Sequence, residues 1–241
     1  GGLAGDALTD ADDNVAVGGL ALTSDVRGSK TTAIGRGTLG SQNFTTATDS
    51  YNTAVGYFAG QQVTTGIRNT LVGSLAGDAL TDADFNVALG YNTLGADTLG
   101  SHNTAIGYAA LFTQNFTTAT NSYNTAVGSN AGLSVTTGTH NTLIGGLAGD
   151  ALTTGPNNVA VGYNSLSSAT SGDNNVAVGS DAQFSNTVGD KNVAVGRSAL
   201  LNFNPATDSD TFNTAVGHEA GKAVTTGTNN TLIGGLAGDA L

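Results

Sequence analysis

The chain contains no cysteine, methionine or tryptophan, and only 2 of its 241 residues are proline. Without cysteine it can form neither a disulfide framework nor a thiolate metal site. Basic side chains are also scarce, with 7 lysines and arginines against 18 acidic residues and a net charge of -11 at pH 7. Because neutralising phosphates requires clustered Lys and Arg, we expect no nucleic-acid partner.

Long apolar runs are missing as well. No apolar run approaches the length of about 18 residues that a membrane-spanning helix needs, so we expect no membrane span in this segment. The first residues are neither basic nor followed by the apolar core of a signal peptide, and there is no initiating Met. We therefore interpret the chain as a processed product or an internal segment of a longer fibre.

Glycine is abundant, at 36 residues, and much of it belongs to a recurring pentad such as Asn52-Thr53-Ala54-Val55-Gly56. The pentad reads Asn, then Thr or Val, then Ala or Leu, then a branched or leucine side chain, then Gly. Its copies divide the chain into 17-residue units, lengthened to 21-residue units at three places. The pentad ends at Gly18, Gly35, Gly56, Gly73, Gly90, Gly107, Gly128, Gly145, Gly162, Gly179, Gly196, Gly217 and Gly234.

A fixed period of this size is typical of a solenoid, in which each repeat buries its apolar face against its neighbours. We predict an all-β fold, a parallel β-solenoid of 17- and 21-residue coils, each with two strands and two turns. The chain is one continuous array, 1–241, because a longer repeat covers about 1–72, 73–144 and 145–233 and begins again at 234–241.

Within each pentad, side chains should alternate between two faces. We place the small Asn/Ala/Gly face against a neighbouring chain or another wall of the same coil, and the Val/Ile/Thr face in the coil's own core. A second, weaker strand is expected after the pentad, as in 90–94, and a turn of helix in 77–84.

Asparagine opens nearly every pentad, and stacked asparagines can bond from coil to coil through their amides. We therefore predict a structural ladder. Its members are Asn52, Asn69, Asn86, Asn103, Asn124, Asn141, Asn158, Asn175 and Asn192.

The three 21-residue units carry insertions, which in solenoids map to loops on one face, often the binding face. Aromatic residues lie at or near both ends of each insertion, and these are the candidate surface-contact residues. Alternatively, the second aromatic of each loop pins the loop down. The candidates are Phe44, Tyr51, Phe116, Tyr123, Phe203 and Phe212.

Two groups of aspartates could supply oxygen ligands to a structural Ca²⁺, which wants six to eight of them. The alternative is a solvated turn, because in the third copy Asp150 is followed by Thr153, Thr154 and Gly155. No other cofactor is expected. The calcium candidates are Asp6, Asp10, Asp12, Asp78, Asp82 and Asp84.

No catalytic constellation is recognisable. His102, His140 and His218 occupy positions of the repeat that other side chains fill elsewhere, and no nucleophile elbow or His-Glu-x-x-His pattern occurs. We predict that the protein is not an enzyme.

The pentads at 158–162, 175–179 and 192–196, each followed by a small residue three places on, resemble the head repeats of trimeric autotransporter adhesins, the YadA-like heads. Similar repeats occur in bacteriophage tail fibres, and the resemblance covers essentially the whole chain. It implies a left-handed β-roll in which three identical chains interlock, exposed at a cell or virion surface. It also implies that Val159, Val161, Val176, Val178, Val193 and Val195 lie inside the roll and that Ala160, Ala177 and Ala194 face the trimer axis.

The expected function is a structural or adhesive fibre segment, extracellular, that trimerises, joins flanking segments end to end and displays loops to host-cell glycans or matrix proteins. The alternative is a tail-fibre shaft that recognises a host surface glycan. Ice or mineral binding comes third, because no continuous outward rank of threonines can be drawn. Leu71, Leu143 and Leu232, at the usual alanine position, depart from the family pattern.

Overall fold

A computed structural model describes residues 1–240, and within that range it is all-β and contains no helix. The chain is a parallel β-solenoid of about 13 turns. It divides into two compact units, Gly1–Tyr123 and Asn124–Leu241. In the described range there is accordingly no helix that is long and apolar enough to cross a membrane.

The first unit stacks its three-residue strands in the order β1-β3-β5-β6-β7-β9, and two-residue strands pair as β2 with β4 and β8 with β10. The strands are β1 (Val15–Val17), β2 (Gly28–Ser29), β3 (Thr32–Ile34), β4 (Thr48–Asp49), β5 (Thr53–Val55), β6 (Thr70–Val72), β7 (Val87–Leu89), β8 (Gly100–Ser101), β9 (Thr104–Ile106) and β10 (Thr120–Asn121).

The second unit stacks in the order β11-β12-β13-β14-β16-β18-β19, with β15 paired to β17. Its strands are β11 (Thr125–Val127), β12 (Thr142–Ile144), β13 (Val159–Val161), β14 (Val176–Val178), β15 (Gly189–Asp190), β16 (Val193–Val195), β17 (Ser209–Asp210), β18 (Thr214–Val216) and β19 (Thr231–Ile233).

Each three-residue strand is the middle of one pentad, and equivalent residues pair in parallel. Val15 pairs with Thr32 in the next coil, and Thr32 pairs with Thr53 in the coil after that. The second of these steps crosses the first insertion, so the extra residues leave the strand register unchanged. The prediction of an all-β parallel solenoid is confirmed.

The predicted second strand is wrong. Residues 91–94 form turns, and Asn92 and Leu94 have left-handed φ values of 57° and 50°. The Asn92 N–H nevertheless donates to the Ser74 carbonyl of the preceding coil, and the Leu94 N–H donates to the Ala110 carbonyl of the following one. The turns therefore stack along the solenoid as strands do, and their N–H groups donate alternately to the preceding and the following coil. Residues 77–84 are likewise turns and bends, so the expected helical turn is also wrong.

The prediction that the Val/Ile/Thr face lies in the coil's own core is wrong, whereas the small face does pack against another wall of the same coil, which was one of its two predicted positions. The central residues Ala54, Ala88 and Ala160 are fully buried within the single chain, whereas the first and third residues of the strands point outward. Val159, Val161, Val176, Val178, Val193 and Val195 are only partly buried, and Ala160, Ala177 and Ala194 lie inside the coil.

The thin interior of the coil explains this reversal. Leu94 and Leu166 project from the turns into the core and are fully buried, so the opposite strand has room only for alanine at its centre. Where the strand centre is leucine, the turn residue is glycine. A Cβ on Gly77 would meet Leu71 Cδ2 at 2.8 Å, and one on Gly149 would meet Leu143 Cδ2 at 2.8 Å. Leu71 and Leu143, which stand where most strands have alanine, are therefore matched by a small residue on the facing wall.

Buried asparagines tie successive coils together. The Asn69 side-chain oxygen accepts the Asn86 N–H at 3.0 Å, and its Nδ2 donates to the Ala83 carbonyl at 2.7 Å. The Asn69 N–H in turn donates to the Asn52 side-chain oxygen at 2.9 Å. In the second unit Asn158 and Asn175 repeat the arrangement, with the Asn175 N–H 3.0 Å from the Asn158 oxygen. The ladder thus bonds mainly from side chain to main chain.

Replacing Asn69 with Ala tests this ladder. The change leaves the Asn86 N–H and the Ala83 carbonyl without their side-chain partners, and each unsatisfied buried group costs about 1–3 kcal/mol. We expect the free energy of unfolding to fall by about 2–5 kcal/mol in urea denaturation. Asn43→Ala, at an exposed loop position, is the matched control and should leave the midpoint unchanged. Equal effects of the two changes would contradict the ladder's role.

Candidate functional site

The outward face of the stacked strands carries an apolar stripe, which we define as the first and third residues of the three-residue strands. In the first unit Ile34 is 38% exposed and Leu89 is 45% exposed, although both have paired strands on each side. In the second unit Ile144 is similarly exposed. The first-unit stripe consists of Val15, Val17, Thr32, Ile34, Thr53, Val55, Thr70, Val72, Val87, Leu89, Thr104 and Ile106.

An aromatic column borders this stripe in the first unit, at the position just before the ladder asparagine. Arg68 lies 5.1 Å from the Phe85 ring centroid and 6.0 Å from that of Tyr51. His102 then stacks on Phe85 with centroids 4.8 Å apart, and Tyr123 follows at 4.9 Å. The backbone is left-handed at this position, with φ of 51° at Tyr51, which turns the side chain outward.

A tyrosine column borders the stripe on its other side, directly after the pentad glycine. The Tyr91 and Tyr108 rings stack with centroids 5.9 Å apart and planes 12° apart. The Arg36 guanidinium lies 5.9 Å from the Tyr57 centroid. Tyr163 is exposed at the same position in the second unit. The sequence interpretation missed this column, although the recurrence of Tyr after the pentad glycine was a readable signal.

The loop aromatics fall into two sets. Phe44, Phe116 and Phe203 are buried, with Phe203 fully so, and they do not form a contact surface. Tyr51, Tyr123 and Phe212, at the far ends of the loops, are the exposed ones. The role of pinning the loop therefore falls to the first aromatic of each insertion, in contrast to the sequence alternative that gave it to the second.

Buried polar groups fasten the first two loops from inside. The Gln42 amide donates to Asp25 Oδ2 at 2.6 Å, and Asp25 Oδ1 accepts the N–H groups of Gly28 and Phe44 at 3.0 and 3.1 Å. Asn52 donates to the Gln42 oxygen at 2.9 Å, which joins the loop to the ladder.

Asp97 and Gln114 repeat this arrangement in the second loop. Burial raises the pKa of Asp97, and hydrogen bonds from Gln114, Phe116 and Gly100 lower it in part. In the third loop the equivalent residues are Asn186 and Phe203. The Asn186 side-chain oxygen still accepts the Gly189 N–H at 2.8 Å, whereas the buried Phe203 ring takes the place of the glutamine.

Three of the six calcium candidates accept hydrogen bonds from a neighbouring coil. Asp6 accepts the Thr23 hydroxyl at 2.8 Å, Asp82 the Thr65 hydroxyl at 2.7 Å and Asp84 the Ile67 N–H at 2.7 Å. Burial raises the pKa of Asp78, which follows Gly77. Within residues 1–240, no group of three or more His, Asp or Glu residues is arranged to hold a metal ion.

Threonines form a short rank along the turns of the second unit. The hydroxyls of Thr136, Thr153 and Thr170 donate to the carbonyl one coil further on, at 2.9 to 3.2 Å, and that of Thr187 donates to Asn204 at 2.7 Å. The structure therefore contains a short row of threonines that the sequence analysis did not predict. Its hydroxyl protons are committed to bonds within the chain.

The three histidines lie in three different coils. His102 belongs to the aromatic column, and His218 Nε2 lies 3.5 Å from Arg197 Nη1.

Comparison of the chain with protein-family models, curated proteins and solved structures returned no match.

The third loop offers a matched test of the two aromatic sets. Phe203→Ala removes a fully buried ring and should cost about 3–5 kcal/mol of unfolding free energy. Phe212→Ala removes an exposed ring that contacts Lys191 and should cost about 1 kcal/mol or less. Thermal or urea unfolding of the two variants measures both. The assignment fails if Phe212→Ala proves the more damaging change.

Proposed function

We propose that the chain is a non-catalytic segment of an extracellular fibre, which associates as a homotrimer through its outer sheet face and displays its loops for attachment. The apolar stripe carries this proposal. Large contiguous apolar patches on a soluble protein mark interaction sites. Here the patch is built from regularly stacked Val, Ile and Leu side chains, with Thr among them, that the single chain leaves partly exposed.

The size of the face favours a stable interface. Six strands about 4.8 Å apart and a width of six residues between the two columns give about 500–600 Å² in the first unit alone. Two such faces in contact would bury about 1,000–1,200 Å², which is the lower range of specific protein interfaces. Its Tyr, Phe and Arg side chains are those enriched in interface cores.

The trimeric state and the left-handed roll follow from the resemblance to adhesin heads and tail fibres. The contact surface differs from the one first expected. Because the strand-centre alanines fill the coil's own interior, the valines and isoleucines are the groups left for the partner chains. We therefore propose a trimer core of branched side chains, bordered by the aromatic and tyrosine columns.

Attachment would fall to the three loops, whether the fibre belongs to a cell surface or to a phage tail. Between the aromatic ends of the loops the exposed residues include small polar ones, such as Thr45, Thr46, Thr117 and Thr118. In the aromatic column the Phe85 and His102 rings are stacked on each other, which leaves fewer ring faces open to a sugar. A glycan would then be held by hydrogen bonds from loop hydroxyls more than by stacking on rings.

A charge on the apolar stripe tests the self-association. Leu89→Lys places an ammonium group in the contact surface, where desolvation opposes burial, and should convert trimers to monomers in sedimentation or light scattering. Circular dichroism should retain the β spectrum, because Leu89 already meets solvent in the single chain. Thr118→Lys, in an exposed loop, is the control and should remain trimeric. A trimeric Leu89→Lys protein would rule out this face as the interface.

Loop variants test the attachment. Replacing Thr45, Thr46, Thr117 and Thr118 together with Ala should lower binding on glycan and matrix-protein arrays by tenfold or more, at unchanged assembly mass. Thr137→Ala, at an exposed turn outside the long loops and the apolar stripe, serves as the control. Unchanged binding by the fourfold variant would assign the loops a spacer role.

A further inference from the structure

At two positions in and beside the third long loop, 190 and 208, the chain has aspartate where the first two loops have serine and alanine. In the coil before each of the first two long loops, a serine hydroxyl accepts a main-chain N–H of the preceding coil. The Asp12 N–H donates to Ser29 Oγ at 3.0 Å, and the Asp84 N–H donates to Ser101 Oγ at 2.9 Å. Both contacts are between a neutral hydroxyl and an amide.

Asp190 takes the place of that serine in the coil before the third long loop. Its Oδ1 accepts the Asp173 N–H at 2.7 Å, so the same main-chain contact is made by a carboxylate. Asp190 is only 6% exposed, and it lies in the two-residue strand β15, which pairs with β17. A buried, ionisable carboxyl group therefore lies beside the third loop.

Asp208 is the second replacement, at the loop position that Ala47 and Ala119 occupy in the other two coils. The Ser171 hydroxyl donates to Asp208 Oδ2 at 3.1 Å, from a coil two turns away. The Asp208 carboxyl lies close enough to Asp190 to raise the pKa of Asp190. Two ionised carboxylates in such proximity repel each other, whereas a proton on one of them lets the pair share a hydrogen bond.

The surroundings supply little compensating charge. Asp173 and Asp208 both face Asp190, and the nearby Lys191 ammonium is engaged by Asp210 at 2.6 Å on the exposed side of the chain. Burial and the neighbouring carboxylates raise the pKa of Asp190 to about 6, although the Asp173 N–H opposes the shift.

We propose that Asp190 and Asp208 form a proton-operated latch on loop 202–212. In mildly acidic solution the shared proton joins the two carboxyl groups and holds the loop against the coils of Asp173 and Ser171. Loss of the proton leaves three carboxylates facing one another and loosens the loop. The first two loops, with Ser and Ala at these positions, have no latch. One of the three display surfaces is then conditional on pH, whatever the assembly state.

The direction of the pH dependence follows from the direction of the Asp190 pKa shift. The folded-state pKa of Asp190, about 6, lies above its ordinary value of 3.8. Its contribution to loop stability is therefore complete below about pH 4 and is lost as the pH rises through about 6. For a loop whose open state has ordinary carboxyl groups, the opening constant should rise about tenfold between pH 5 and pH 7.

Hydrogen exchange of loop peptides, corrected for intrinsic rates, measures this opening. Protection of 202–212 should fall about tenfold from pH 5 to pH 7, while protection of 43–51 and 115–123 in the same protein stays level. The double variant Asp190→Ser, Asp208→Ala reproduces the residues of the first two coils and should abolish the pH dependence. Asp208→Asn keeps a hydrogen-bonding side chain without the charge and should retain protection at pH 7.

Two results would overturn the latch. One is a wild-type loop 202–212 whose protection stays level with that of 43–51 and 115–123 across this range. The other is a double variant that keeps the wild-type pH dependence while circular dichroism shows it folded.

Discussion

The buried asparagine amide is the interaction on which each unit depends. A coil with alanine at the centre of its strand has too little apolar interior to hold itself closed, so cohesion has to run along the stack. The Asn69 side chain supplies it by accepting the next pentad's N–H and donating to the Ala83 carbonyl in the following coil. Each asparagine thus fixes both the start of a strand and the turn that precedes the next one.

The rest of the coil follows the same rule of bonding to its neighbours. The turns of each coil reverse the chain within very few residues. Because so tight a reversal requires left-handed backbone, even Leu94 and Tyr51 adopt it. At the end of each strand the backbones come closest. Gly73 has φ of 132°, and a Cβ there would collide with the Gly90 carbonyl. The repeated pentad glycine is therefore required both by its conformation and by lack of space.

The repeat period, the parallel register and the position of the pentad strands could be predicted from the sequence, because each follows from spacing alone, whereas the predicted second strand is a pair of turns. The direction of the two strand faces could not, since alternation separates faces without saying which is inside. The usual rule that branched side chains lie inside fails here because Leu94 already fills the core opposite the strand. The pairing of Leu71 with Gly77, which the structure explains by close contact, was a readable sign of the true interior.

Because the branched strand residues face outward and the alanines inward, the branched residues are the ones available for contact with other chains. The half-exposed valines and isoleucines would be an aggregation hazard on a solitary chain, whereas in a trimer they form the common core. The most direct test is the mass of the unmodified chain in solution at micromolar concentration, measured by light scattering. Our account predicts three chains of 23.7 kDa with a β-type circular dichroism spectrum. A stable single chain would contradict it.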